Sequence, residues 1–391
     1  AGDSHGQVSV TSMRTYRQTA FWKAHNDSVL GVEMVTDDII VTSGRDNELH
    51  VWSLSGKGKE DRGSESQPSA TSLPQPAKLY TVAVNAMNYC RFSILACGDA
   101  PGRPHSEDLG CPEMLIAVPH TLESAYIDLL RVSSSAGSPQ RLATALGKPD
   151  LASSEAVKSS RQAIVMALHL FRQNPQHRSS GPPLEKMDAA SDLHLLVGYE
   201  DGRVVLWRQE CNFPAQRATA HGGMPKEGHW VRRAPDSCLP AVLSLSLSPC
   251  AKFAISTGAD DVLVRYELSS LVQKGQTKRI SVYKTGFGGR ACSCIRADSE
   301  VVAAGGWDGR IRVHAGSTCR QLAVLSYFKD TVQAIAYAPD LRDQHSERTS
   351  PGCDESDSDE GWDVGAHERI EEAYRWLAAG GKDGRIALWS V

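Results

Sequence analysis

A glycine, a tight polar turn and an alternating apolar strand recur along this chain, often closing on an aromatic, as in GRDNELHVW from Gly44 and GKDGRIALW from Gly381. A unit that recurs in this way restricts the chain to repeat architectures, where one small sheet buries its apolar faces only against the next.

Aligned on the first glycine, the pattern returns as GADDVLVRY from Gly258 and GWDGRIRVH from Gly306. The turn aspartates are Asp46, Asp260, Asp308 and Asp383; GYEDGRVVLW from Gly198 carries Asp201 in a turn one residue longer, and GDSHGQVSVT from Gly2 follows the same pattern. The copies lie 42 residues apart from Gly2 to Gly44 and 48 apart from Gly258 to Gly306, near the ~40–45 residue WD40 period in which four short strands make one propeller blade. The strand after the turn can be placed near Gln7, Glu48, Ala125, Arg203, Val262, Arg310 and Arg385, with the third copy degenerate. The expectation is therefore an all-β, seven-bladed WD40 β-propeller, one domain over residues 1–391.

The sequence starts at Ala1 inside a turn and stops at Val391, two residues after Trp389. This leads to the expectation that roughly 40 residues, one WD40 unit, belong upstream of Ala1. They would complete blade one and close the ring, hiding its sheet edges.

Apolar residues make up 41% of the 391, enough for a large core, and the net charge is −4. A general nucleic-acid binder needs a basic face, so the balance argues mildly against that class. No apolar run of about 18 residues is present to span a bilayer, and no secretory signal pattern opens the sequence. The ten cysteines are scattered, with Cys292 and Cys294 the one close pair; neither a disulfide framework nor a CxxC clamp is indicated. The expected compartment is reducing, cytoplasm or nucleus.

The most legible blade suggests a WD40-type polar tetrad of His25, Ser43, Asp46 and Trp52. In it the aspartate accepts from the histidine, and the hydroxyl serves both imidazole and indole, so that each buried polar group has a partner. His, Ser and Asp could suggest a hydrolase, but no GxSxG elbow accompanies them, and we expect scaffold, with no catalytic residues, cofactor or metal. Cys211, His221, His229 and Cys238 do not match a short zinc clamp. The KTGFGGR stretch around Gly286 lacks the P-loop ending and reads as a connection. His169 reads as a core histidine, and the acidic run Cys353–Gly361 as a solvated loop, with a kinase site or a dock for a basic partner as alternatives.

Insertions over about 57–77, 97–112, 174–191 and 341–372 are Ser-, Pro-, Gly- or acid-rich and are expected to be disordered or loosely packed. In propeller topology they fall in loops joining first to second or third to fourth strands, leaving the other face less encumbered, except for 147–162 and 221–236. That second face is the expected partner surface, by analogy with other propellers. Trp230, Arg232 and Arg233 are its candidate hot spot, because Trp and Arg are enriched there; a tryptophan packed back on its blade is the plainer alternative.

WKAHNDSVLGVEM, TSGRDNELHVWSL, LYTVAVNAMNYCRF, LLVGYEDGRVVLW and WLAAGGKDGRIALW, in this order from Trp22 to Trp389, resemble the fungal ASTRA-associated WD40 proteins. That family is similar in turn to animal G-protein β-subunit-like proteins. The resemblance implies a nuclear, non-enzymatic adaptor of the ASTRA assembly, linked to chromatin remodelling and maturation of phosphatidylinositol-3-kinase-related kinases. It implies RuvB-like ATPases, kinase co-chaperones and a giant kinase-related subunit as partners, with no direct nucleic acid and no membrane. A G-protein-β-like signalling propeller with a small helical partner is the alternative, and an enzymatic or metal-binding propeller ranks last.

Overall fold

The computed structural model describes residues 1–55, 73, 75–97, 111–133, 137–148, 163–172, 193–209, 229–231, 241–268, 280–339 and 375–391. They fall into two compact units, Ala1–Arg232 and Arg233–Val391, and every described element of regular structure that can be bounded is a β-strand.

In the first unit, β1 (Gln7–Thr11) and β2 (Gln18–Lys23) form a two-stranded sheet. Three four-stranded antiparallel sheets follow. They are β3 (Val29–Met34), β4 (Ile39–Gly44), β5 (Glu48–Ser53) and β6 (Ala77–Ala83); β7 (Ser93–Ala96), β8 (Met114–Pro119), β9 (Ile127–Val132) and β10 (Gln140–Leu146); and β11 (Val165–Arg172), β12 (Leu193–Tyr199), β13 (Val204–Gln209) and β14 (His229–Val231).

The second unit holds two further four-stranded sheets and one of three strands. They are β15 (Val242–Leu247), β16 (Phe253–Gly258), β17 (Val262–Glu267) and β18 (Ile280–Lys284); β19 (Arg290–Ile295), β20 (Val301–Gly306), β21 (Arg310–Ala315) and β22 (Gln321–Ser326); and β23 (Val332–Tyr337), β24 (Trp376–Gly381) and β25 (Ile386–Ser390).

These are propeller-type sheets, each paired in chain order, and the strands expected after the seven turns all form. The blade count is nevertheless corrected. Sheets of three or four strands number six among the described residues, not seven, because β1 and β2 stand as a pair. Residues before β1 add one bridge, Gly2 to Val8, and no strand of their own.

The burial pattern explains why second strands read as unbroken apolar runs. β4, β8, β12, β16 and β20 are buried along their whole length. Successive residues point to opposite faces, so Ile40 joins Val8, Trp22 and Trp52 in one cluster while Ile39 and Val41 join Met114 and Ile116 in the next. Leu115 and Ala117 on β8 then pack with Leu168, Leu195 and Val197. In the second unit Val302 faces Phe253 and Ile255 while Ala303 faces Val332 and Leu377. A sheet with neighbours on both faces needs hydrophobicity at every position, as buried parallel strands do. Outer strands such as β22 are largely exposed.

A second repeat accompanies the first. Register shifts sit at Val29/Gly31, Val165/Ala167, Val242/Ser244, Arg290/Cys292 and Val332/Ala334, at the start of five first strands. The residue after each bulge is small. A Cβ on Gly31 would lie 2.9 Å from the Phe92 ring and 3.2 Å from Ser43 Oγ, so the bulge brings backbone against the neighbouring side chains.

The insertions at 57–77, 97–112, 174–191 and 341–372 fall, apart from their ends, outside the described residues. They join β5 to β6, β7 to β8, β11 to β12 and β23 to β24, the connections expected of them. The described cysteines are free thiols.

Candidate functional site

The glycine turns place their aspartates between second and third strands, and each does the same local work. Oδ1 of Asp46, Asp201, Asp308 and Asp383 accepts the N–H two residues on, from Glu48, Arg203, Arg310 and Arg385 at 3.1–3.3 Å. This is the Asx turn, which substitutes side chain for backbone. The next residue is left-handed in all four, Asn47 (φ 65°), Gly202 (φ 80°), Gly309 (φ 73°) and Gly384 (φ 76°). Asp260 lies at the corresponding turn and offers its carbonyl to Arg290 Nη1 at 3.3 Å.

Around Asp46 a polar chain forms. His25 Nδ1 donates to Asp46 Oδ1 at 3.0 Å, and Asn26 N–H donates to Oδ2 at 2.8 Å. The hydroxyl in the chain belongs to Thr42. It donates to His25 Nε2 at 2.8 Å and accepts from Trp52 Nε1 at 2.9 Å. The expected Ser43 is thus replaced by its neighbour, and the reason is strand parity. Trp52 pairs with Ile40 and His50 with Thr42, which puts Thr42 on the indole's face; Ser43 pairs with Leu49 and takes the other. Ser43 Oγ has no hydrogen-bond partner among the described residues.

Thr42→Val should therefore cost about 1–3 kcal/mol, because the buried indole N–H loses its acceptor. Ser43→Ala should stay within about 0.5 kcal/mol, since no hydrogen bond is lost. Urea unfolding midpoints of the two variants distinguish the assignments.

His50 stacks on His25, with centroids 4.7 Å apart and planes 17° apart, and meets Trp52 edge-on at 5.4 Å. Burial pushes His50 down to about 4, with Lys78 and His25 adding to the shift, so the ring is neutral at pH 7. His25 is likewise lowered by burial, against the pull of Asp46. Ligand atoms of His25, Asp46 and His50 come within 4.8 Å of one another. Both His25 nitrogens are engaged by Asp46 and Thr42, and His50 Nδ1 meets Thr81 Oγ1 at 3.0 Å. The cluster therefore reads as a hydrogen-bonded scaffold rather than a ligand set.

Other sheets fill these positions differently. Near Asp383, Phe328 stands where His25 would be, Lys329 N–H donates to Oδ2 at 3.0 Å, and Phe328 packs edge-on against Trp389 at 6.0 Å. Ser256 and Tyr266 hydrogen-bond at 2.9 Å in place of Thr42 and Trp52. Arg312 forks onto Asp308 at 3.1 and 2.7 Å, and that bond holds the carboxyl below the usual range.

Sequence reading missed the buried network of the degenerate third copy. Asp128 on β9 is fully buried. It accepts from His120 Nδ1 at 2.8 Å, from Ala145 N–H at 2.9 Å and from Arg141 Nη1. Arg141 Nη2 also donates to the Ala83 carbonyl at 3.0 Å and to Thr121 Oγ1 at 3.1 Å. The signal was an aspartate flanked by apolar residues near the start of a strand, IDLL in IDLLRV. Among the described residues no hydroxyl or thiol is hydrogen-bonded to the other His120 nitrogen.

Trp230 was expected in a loop. The structure places its backbone in β14, opposite Val205, as part of an outer fourth strand. The open edge of β13 offers hydrogen bonds that a loop would forgo, so the loop expectation is corrected at His229–Val231, and the rest of 221–236 lies outside the described residues. Arg232 and Arg233 lie outside the described residues, as do Cys211, His221, Cys238 and the acidic run at 353–361. His169 sits half-buried on β11.

Exposed apolar side chains occur on strands such as β3 and β22 and also on the connections joining second to third strands or one sheet to the next. In the first unit the latter are Met87 (79% exposed), Tyr89 (58%) and Leu122 (85%), with the Arg45 guanidinium 4.7 Å over Tyr89. In the second they are Phe287 (47%), Trp307 (49%) and Tyr327 (51%). Met13, Tyr16 and Leu73 are exposed in connections of the other kind.

No protein-family model matches the chain. Its whole length aligns at 31% identity with ASTRA-associated protein 1 of Verticillium alfalfae, covering 86% of that protein. It aligns at 28% with ASTRA-associated protein 1 of Aspergillus niger, covering 91%, and at 24% with that of Schizosaccharomyces japonicus, covering 92%.

Proposed function

The chain belongs to the ASTRA-associated protein 1 family, and from that premise we propose that it is a non-enzymatic scaffold of the ASTRA complex. In this reading it works in the nucleus, in chromatin remodelling and in maturation of phosphatidylinositol-3-kinase-related kinases. Its partners are RuvB-like ATPases, kinase co-chaperones and a giant kinase-related subunit.

One observation carries the scaffold reading. The buried polar groups around Asp46 and Asp128 are paired with one another, while large apolar side chains are left exposed on connecting loops. Satisfied internal networks rigidify a framework, and exposed aromatics beside Arg are the composition of binding hot spots. A catalytic site would instead concentrate convergent polar groups in a pocket.

Affinity purification of the full-length protein from nuclei of its own organism, with identification of bound proteins by mass, tests the reading. Recovery of RuvB-like ATPases together with kinase co-chaperones is expected. A small helical partner in their place would move the assignment to a G-protein-β-like signalling propeller.

A further inference from the structure

Phe287, Trp307 and Tyr327 form one connected strip within the second unit. The Arg312 guanidinium lies 4.1 Å over the Phe287 ring and forks onto Asp308. The Trp307 ring lies so close over Gly289 that a Cβ there would come 2.5 Å from its Cε3. A Cβ on Gly309 would likewise meet the Phe328 carbonyl at 2.5 Å, which joins the Trp307 turn to the loop bearing Tyr327. Arg385 stands 5.7 Å over the Tyr327 ring.

The charges along this strip are unevenly employed. Lys284, Arg310, Lys329, Lys382 and Arg385 are all exposed. The carboxylates are turned to the chain's own donors. Asp308 accepts from Arg310 N–H at 3.2 Å as well as from Arg312, Asp330 accepts from Thr331 N–H at 2.6 Å, and Asp383 accepts from Arg385 and Lys329 N–H at 3.3 and 3.0 Å. The cations meet them only at longer range, Lys382 to Asp330 at 3.7 Å and Arg385 to Asp383 at 3.9 Å. Exposed pairs of this kind contribute about 0–1 kcal/mol, so the cations remain available to an outside anion.

We propose that Phe287, Trp307, Tyr327, Arg310, Lys329 and Arg385 form a docking surface for an acidic peptide segment carrying aromatic or aliphatic anchors. The rings take the anchors, and the basic side chains between them take the carboxylates and set register. This inference rests on the scaffold reading and names the chemistry of one partner.

The test uses the full chain and a fluorescein-labelled peptide of about a dozen residues, alternating Asp and Glu with two Phe, read by anisotropy. Saturable binding is expected, weakening at least about tenfold in Trp307→Ala and in Arg310→Glu/Lys329→Glu, and weakening again as NaCl rises from about 50 to 300 mM. Leu142→Ala, exposed on β10 of the first unit, should leave the affinity unchanged. Trp307 is half exposed, so its variant should still unfold in the parent's cooperative transition, which shows that the fold is intact. Equal binding by parent and variants, binding no tighter than that of the same acidic peptide without Phe, or tighter binding of single-stranded DNA would each overturn the proposal. If the peptide fails while ASTRA subunits still co-purify, the surface is wrong and the scaffold stands. If the peptide binds selectively and no ASTRA subunit co-purifies, the scaffold is wrong and the surface stands.

Discussion

Trp52→Ala should lower stability by about 3–5 kcal/mol, the range for removing a large buried aromatic. Trp52 is buried against Val8, Ala20, Trp22, Ala24 and Ile40, meets Trp22 edge-on at 5.6 Å and donates to Thr42 at 2.9 Å. Its loss opens a cavity between the two-stranded sheet and β3–β6 and strips Thr42 of one partner. Trp389, at the same position of the β23–β25 sheet, is only half-buried, so Trp389→Ala should cost less. Equilibrium urea unfolding of both variants gives the comparison; an unchanged Trp52→Ala midpoint would remove Trp52 from the core.

Asp128→Ala should cost about 3 kcal/mol, the lower end of the range for breaking a buried ion pair. The carboxylate is fully buried and serves His120, Arg141 and the Ala145 N–H at once. Its removal leaves three donors without their acceptor. Arg141 is one-third exposed, so water recovers part of the loss, which sets the expectation at the lower end. Asp128→Asn keeps the shape and one acceptor and should fall between parent and Asp128→Ala. A loss below about 1 kcal/mol in Asp128→Ala would place the carboxylate outside the buried network.

Some of this site was open to sequence reading, because some of its chemistry is local. An Asx turn depends on an aspartate and the N–H two residues on, so Asp46, Asp201, Asp308 and Asp383 could be placed in their turns before any fold was known. The choice between Thr42 and Ser43 depends on register, since Trp52 pairs with Ile40 and parity then selects Thr42. The small residue after each first-strand bulge was a further periodic signal, visible only once Gly31, Ala167, Ser244, Cys292 and Ala334 are aligned by their strands.

The sequence by itself determined the all-β class, the recurrence of small antiparallel sheets, the turns that end their second strands and the family. All of these rest on neighbours in the chain, on two-residue alternation and on turn chemistry. Only the tertiary structure decided that β1 and β2 stand as a pair, that Trp230 enters an outer strand, and that His120, Asp128 and Arg141 converge. It also decided that the connections bearing Phe287, Trp307 and Tyr327 lie side by side. These depend on which edge finds a partner and which side chains from distant segments meet, and pairing across that distance follows from packing, which a repeat pattern read along the chain does not contain.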